Sequence, residues 1–219
     1  EGFPHDGALL DLATSANICC GEHAGSWELT VSTVERCRDH GVRIGIHPGF
    51  PDRASMGRRV LSAAEIDAAQ ASLVEQTERF LGVAPDAAYI KPHGAFYTMA
   101  MASRSPERDA ALATLCAVLE VCRLPLMTLE GTPPSFLAAE IGVGVIAEGF
   151  ADRAYLPDGT LVPRGEPGAI LEDAAAIEKQ VARLADRVDS ICLHGDNPDC
   201  VEFARLVRGK LTALEGTWP

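Results

Sequence analysis

No run of 18 consecutive apolar residues occurs in this sequence, so no membrane-spanning helix is expected. Positive charge is scarce as well. Lysine and arginine number 19 against 31 acidic residues, a formal net charge of −12. No basic patch stands out, which argues against nucleic acid and anionic membrane surfaces as partners. CxxC pairs are missing, and the seven cysteines (Cys19, Cys20, Cys37, Cys116, Cys122, Cys192, Cys200) are odd in number. They read as reduced core residues of a cytoplasmic protein, without zinc-ligand spacing. No secretory leader is visible at Glu1. There is no GxxxxGK[ST] loop and no serine in a GxSxG setting, so neither a Walker-type ATP site nor a serine-hydrolase elbow is supported. With no linker, repeat or low-complexity segment, residues 1–219 read as a single domain.

What the sequence does hold is a recurring pattern: an apolar run, then charge and histidine, then glycine. At 47% hydrophobic over 219 residues it can bury a sizeable core. In the stretch Tyr89-Ile90-Lys91-Pro92-His93-Gly94-Ala95-Phe96-Tyr97, the apolar residues 87–90 predict a buried strand. Pairing should stop at Pro92, and Gly94 allows a tight turn. Residues 14–21, 42–46, 125–129, 143–147 and 190–193 predict five further strands. Helices are predicted at 26–40, capped by Ser26 and stopped at Gly41; at 62–82, opened by a Ser62/Glu65 capping box; and at 105–122, 135–140, 171–187 and 199–213. Residues 8–12 read as a helical turn. Pro157-Asp158-Gly159 marks a β-hairpin near 154–165. Strands alternating with helices mean a parallel α/β sheet, open or closed into a barrel.

The carboxyl ends of such strands are where chemistry is placed. Those ends carry Asn17 with His23, then His47, Lys91 with His93, Glu130, Glu148 with Asp152 and Arg153, and His194 with Asp196. Four of the six histidines fall there, which predicts one polar site. Histidine can serve as acid, base or metal ligand. Glu148, Asp152 and Asp196 can orient an imidazole, act as base or hold a metal. Lys91, Arg58, Arg59 and Arg153 can bind a carboxylate or phosphate. Arg58 and Arg59 read equally well as a solvated pair, Arg153 as the partner of a neighbouring carboxylate, and Glu130 as structural.

Six stretches in order resemble the LamB/YcsF family of bacterial 5-oxoprolinase A subunits. They are Ser15 to Gly25, Ile44 to Asp52, Gly57-Arg58-Arg59, Lys91 to Tyr97, Phe150 to Tyr155 and Ile191 to Pro198. This chain has Glu22 where the family usually has an aromatic residue, and Ser26-Trp27 where it usually has Asp-Pro. The resemblance implies a seven-stranded, TIM-like β/α barrel related to polysaccharide-deacetylase-like barrels. The family's opening Asp-Leu-Asn-x-Asp-x-Gly-Glu segment is missing, so Glu1 is expected to be its last residue and the first strand to be absent from this chain. The implied activity is ATP-dependent opening of the lactam 5-oxoproline to L-glutamate, with Mg accompanying ATP and with separate B and C subunits as partners; a homo-oligomer is a further possibility. Such a site needs cations for phosphate (Lys91, Arg58, Arg59), a base for water (His93 or Asp196) and a donor to the leaving nitrogen (His194 or His47). Asn17 and His23 would position substrate. Two alternatives stay open: a metal-dependent deacetylase or amidohydrolase, with zinc on His47, His93 or His194 and no need of ATP, and a non-catalytic binding subunit.

Overall fold

The structure, a computed structural model, describes residues 3–214. In chain order its elements are α1 (Asp6–Leu10), β1 (Ser15–Cys19), α2 (Trp27–Asp39), β2 (Arg43–His47), α3 (Ala63–Val83), β3 (Tyr89–Ile90), α4 (Gly94–Ala100), α5 (Pro106–Cys122), β4 (Leu126–Thr128), α6 (Pro133–Ile141), β5 (Val145–Phe150), α7 (Ala174–Leu184), β6 (Ser190–Cys192) and α8 (Cys200–Ala213). They fall into two compact units, one spanning Thr14–Val145 and the other joining Pro4–Ala13 to the chain from Ile146 onward. Six strands match the six read from the sequence. The seventh that the resemblance implies is not among the described residues, and Glu1, expected to end its motif, lies outside them. No helix of the described residues is long and apolar enough to cross a membrane.

In the first unit β1, β2, β3 and β4 pair parallel in sequence order. Ile18, Ile46, Ile90 and Leu126 are buried along the sheet, and α3 packs on α5 beside them. The local signals act as read. Ser26 accepts the Leu29 amide at the start of α2, and Gly41 turns the chain out of it at φ +65°. Ser62 and Glu65 close a capping box on α3. Lys91 donates its amide to the Ile46 carbonyl and His93 its amide to the Pro48 carbonyl at 2.8 Å, so backbone bonding to the β2 side continues past Pro92, where an end was expected. Gly45 on β2 has a specific duty: a Cβ there would sit 2.2 Å from the Tyr89 ring. That ring crosses over β2, and its hydroxyl donates to Asn17 Oδ1 on β1 at 2.9 Å. Asn17 is thus internal to β1 and not at its end as read.

In the second unit β5 and β6 pair parallel, with Glu148 opposite Ser190. Ala151, Ile177, Val181, Phe203 and Val207 form the core where α7 packs on α8. β5 runs three residues past the predicted end at 147, so Glu148 lies inside the strand and is buried. Gly149 looked like a stop. It is needed because the Leu184 side chain lies where its Cβ would point, 3.0 Å away. The predicted hairpin is present in reduced form: Tyr155 bridges Leu161 antiparallel, and Leu156 donates to the Thr160 carbonyl. α4 was not foreseen. Its seven residues are too few to show a period. Gly94, at φ +54°, turns the chain into it against the Gly57 carbonyl, which would meet a Cβ at 2.6 Å and instead accepts the Ala95 amide.

Candidate functional site

The first unit gathers His23, His47 and His93. β2 ends on His47, and β3 delivers Lys91 and His93 one strand over. His47 Nδ1 lies 2.6 Å from the Lys91 carbonyl, and its Nε2 lies 3.0 Å from His93 Nδ1. His93 Nε2 reaches the Met56 carbonyl at 2.8 Å. Met56 holds that carbonyl in place from the left-handed region, at φ +54°, where a non-glycine residue is strained. His23 stacks face to face on His93, centroids 4.0 Å apart and planes 6° from parallel. It is fully buried, and neither of its ring nitrogens finds a hydrogen-bond partner among the described residues. Burial first, then the neighbouring His93, Arg58 and Arg53, push its pKa down to about 2. Burial, His93 and Lys91 likewise hold His47 well below the ordinary imidazole value. Both rings are neutral bases that resist protonation.

The loops around this cluster are clamped. Arg53 donates to the Gly21 and Gly25 carbonyls, fixing the loop that carries His23. Gln76 on α3, buried, bonds both the amide and the carbonyl of Gly49, at 3.1 and 3.0 Å. Gly49 must be glycine because His23 Nδ1 lies 2.6 Å from where a Cβ would stand. Sequence reasoning missed Gln76, Met56 and Tyr89; the one available signal was a glutamine on the buried face of α3. Lys91 is itself buried, with Nζ 5.9 Å from the centre of the Tyr97 ring.

The second unit pairs His194 with Asp152. Asp152 is buried and accepts from His194 twice, from the backbone amide at 3.0 Å and from Nδ1 at 3.0 Å. Burial raises the carboxyl pKa, but the hydrogen bonds and charge of His194 outweigh it, so Asp152 is depressed overall. Because a carboxylate only accepts, Nδ1 carries a proton, and Nε2 is the ring nitrogen left to exchange one. Phe150 lies against the ring, centroids 5.8 Å apart.

The remaining predicted residues divide. Asp196 is ion-paired with Arg164 at 2.7 Å. Arg59, more than half exposed, pairs with Glu65 and Asp52. Arg58 lies close enough to His23 to depress it. Arg153 is buried and donates to the Ala169 and Val162 carbonyls, so it ties down the hairpin segment. Glu130 is exposed at the end of β4. Among the described residues no group of three His, Cys, Asp or Glu side chains is placed to hold a metal ion, although His47 and His93 touch. Among the described residues none of the seven cysteines is in a disulfide.

Fold and site together define a parallel α/β protein with three clustered histidines in its first unit and a His194–Asp152 pair in its second. The profile of the LamB/YcsF family matches residues 2–217, and the chain belongs to that family. It is 39% identical over 224 residues to the A subunit of 5-oxoprolinase from Paracidovorax citrulli (strain AAC00-1), covering 94% of this chain and 88% of that one. It is 41% identical over 231 residues to the corresponding 5-oxoprolinase A subunit of Neisseria meningitidis serogroup C (strain 053442), covering 97% and 93%. Among solved structures, the lactam utilization protein from Thermus thermophilus superposes with a TM-score of 0.78 at 33% identity, covering 98% of this chain and 91% of that one.

Proposed function

We propose that this chain is one component of an ATP-dependent 5-oxoprolinase, opening the lactam 5-oxoproline to L-glutamate together with separate B and C subunits. The observation that carries the reading is likeness along the whole chain to 5-oxoprolinase A subunits, with the family's six stretches supplying both imidazole clusters. A five-membered lactam resists hydrolysis, so phosphorylation of its oxygen by ATP, with Mg, supplies a better electrophile. Water then adds to the carbonyl carbon, giving its proton to a base, the C–N bond breaks as the nitrogen takes up a proton, and a second water hydrolyses the resulting acyl phosphate to glutamate and inorganic phosphate.

Roles follow from the partners each side chain has. His194, with Nδ1 committed to Asp152, offers Nε2 as base or, once protonated, as donor. Asp196 is neutralised by Arg164 and is a weaker choice of base. Lys91 and Arg58 are the cations for phosphate or carboxylate, with Arg59 drawn off by its own ion pairs. His23 is too buried to touch substrate and supports His93 instead. We further propose that residues 1–219 act as one domain, in the cytoplasm. The test is release of ADP that depends on 5-oxoproline when this chain is combined with B and C subunits. Lys91→Ala retaining the full rate would remove the first-unit cluster from the reaction. Elemental analysis separates the metal-dependent amidohydrolase alternative, which requires stoichiometric zinc and turnover without ATP.

A further inference from the structure

We propose that Gln180 on α7 is a positioning residue for lactam opening, acting through Asp152 to aim the His194 ring. Two residues of one strand end hold that ring. Phe150 lies against its face, centroids 5.8 Å apart, and Asp152 accepts from both its backbone amide and its Nδ1 at 3.0 Å. Both contacts are only as firm as the backbone at 150–153, and β5 ends at Phe150. The four carbonyls of that stretch are nonetheless all held, three of them by one side chain. Gln180 Nε2 lies 2.7 Å from the Phe150 oxygen, 2.5 Å from that of Arg153 and 3.5 Å from that of Ala151. The fourth carbonyl, of Asp152, accepts the Leu171 amide at 2.9 Å. A side-chain amide nitrogen carries two N–H groups, so the two short contacts use both. Three carbonyls meet at one nitrogen only where the chain curls around it. Gln180 therefore sets the bend on which Asp152 stands.

The amide is held the right way round. Its Oε1 accepts from Arg183, three residues along the same helix, at 3.2 Å, which keeps both N–H groups on the carbonyls. Arg183 in turn lies over the Tyr155 ring at 5.2 Å, and the Tyr155 hydroxyl accepts the Phe150 amide at 2.7 Å. Side chains thus serve both polar groups of Phe150, and the network closes on itself. The chemistry of the position favours glutamine. Glutamate would turn lone pairs on the carbonyls, and lysine would bring a second cation to the bend that carries the Asp152 charge. A neutral donor fixes the bend and leaves the charge of the His194–Asp152 pair alone. Gln76 serves Gly49 by the same means in the first unit.

Two readouts test this. The first is NMR of the full chain labelled in its histidine rings, without partner subunits or ATP. The Nδ1 proton of His194, assigned by its change in Asp152→Asn, should shift in Gln180→Glu, which keeps the side-chain shape and loses both donors. The Nδ1 proton of His47, bonded to the Lys91 carbonyl, should stay in place. A His194 signal that does not move overturns the inference, as does an equal shift of both protons, the mark of general loosening. If Gln180→Glu fails to fold, Gln180→Ala takes its place, with the same expected shift. The second readout is kinetic and rests on the proposed function. With B and C subunits present, Gln180→Glu should lower kcat for lactam opening about tenfold and leave KM unchanged. On an Asp152→Asn background the same substitution should cost less than about twofold, because a residue that acts through Asp152 then has nothing to act on. Equal losses on the two backgrounds, or a loss confined to KM, overturn the inference and leave Gln180 to architecture. If the unchanged protein opens no lactam with B and C subunits, the proposed function falls, and the His194 signal alone decides on Gln180.

Discussion

Asp152 decides which nitrogen of His194 is free, and so whether that ring can act as base. Asp152→Asn puts an amide where a carboxylate held the Nδ1 proton, and it removes the negative charge that stabilises the imidazolium formed when Nε2 takes a proton. We expect kcat for lactam opening to fall about 100-fold or more, with KM little changed. Asp152→Glu should recover part of it. Equal loss in both variants, or loss confined to KM, would assign Asp152 to architecture alone. A second residue-level prediction concerns Gly45. Alanine there collides with the Tyr89 ring at 2.2 Å, so Gly45→Ala should cost about 2 kcal/mol in urea unfolding. Tyr89→Leu in the same chain should relieve most of that cost. Tyr89→Phe alone, which gives up the bond to Asn17, should cost about 1 kcal/mol.

At the level of elements, the loops that carry His23 and Met56 depend on a helix that never touches the chemistry. Gln76 reaches from α3 to both polar groups of Gly49. Gln76→Leu leaves that buried amide and carbonyl unpaired, and should cost about 2 kcal/mol or more by urea unfolding. It should also loosen the His23–His93 stack, seen as a change in the ring signals of both histidines. Stability equal to the parent would mean that water replaces the glutamine. α2 and α3 were legible in the sequence because Ser26 and Ser62 cap them locally, and α5 because its apolar residues recur at helical spacing; such signals need no knowledge of the rest of the fold. His47, Lys91 and His93 were legible because each follows an apolar run directly. Gln76 was not, since its purpose depends on a loop 27 positions away. Glu148 was displaced because Gly149, a glycine within a strand, reads as a stop until one sees the side chain that occupies its missing Cβ, and Asn17 because its partner, the Tyr89 hydroxyl, lies 72 positions away. For Gly149 that occupant is Leu184.

The whole chain should show a pH dependence of stability that two neutral imidazoles dictate. His23 is depressed to about 2 and His47 well below its ordinary value. The unfolded chain protonates both near pH 6.5. As pH falls below that point, the unfolded state takes up protons that the fold refuses, so stability declines. With two such groups the slope approaches about 3 kcal/mol per pH unit at its steepest. Asp152 is depressed and contributes above the ordinary carboxylate range; its share is lost only as pH falls through its lowered value. The window between roughly pH 6.5 and 4 therefore belongs to the imidazoles. A net charge of −12 works in the opposite direction, since acid relieves self-repulsion. The difference between variants isolates the histidine part. His23→Phe keeps the stack on His93 and removes one titrating ring, so between pH 7 and 5 its urea midpoint should fall less steeply than the parent's, by the equivalent of about one proton. Parallel curves for the two proteins would show that His23 accepts a proton inside the fold, which its buried, unbonded nitrogens forbid.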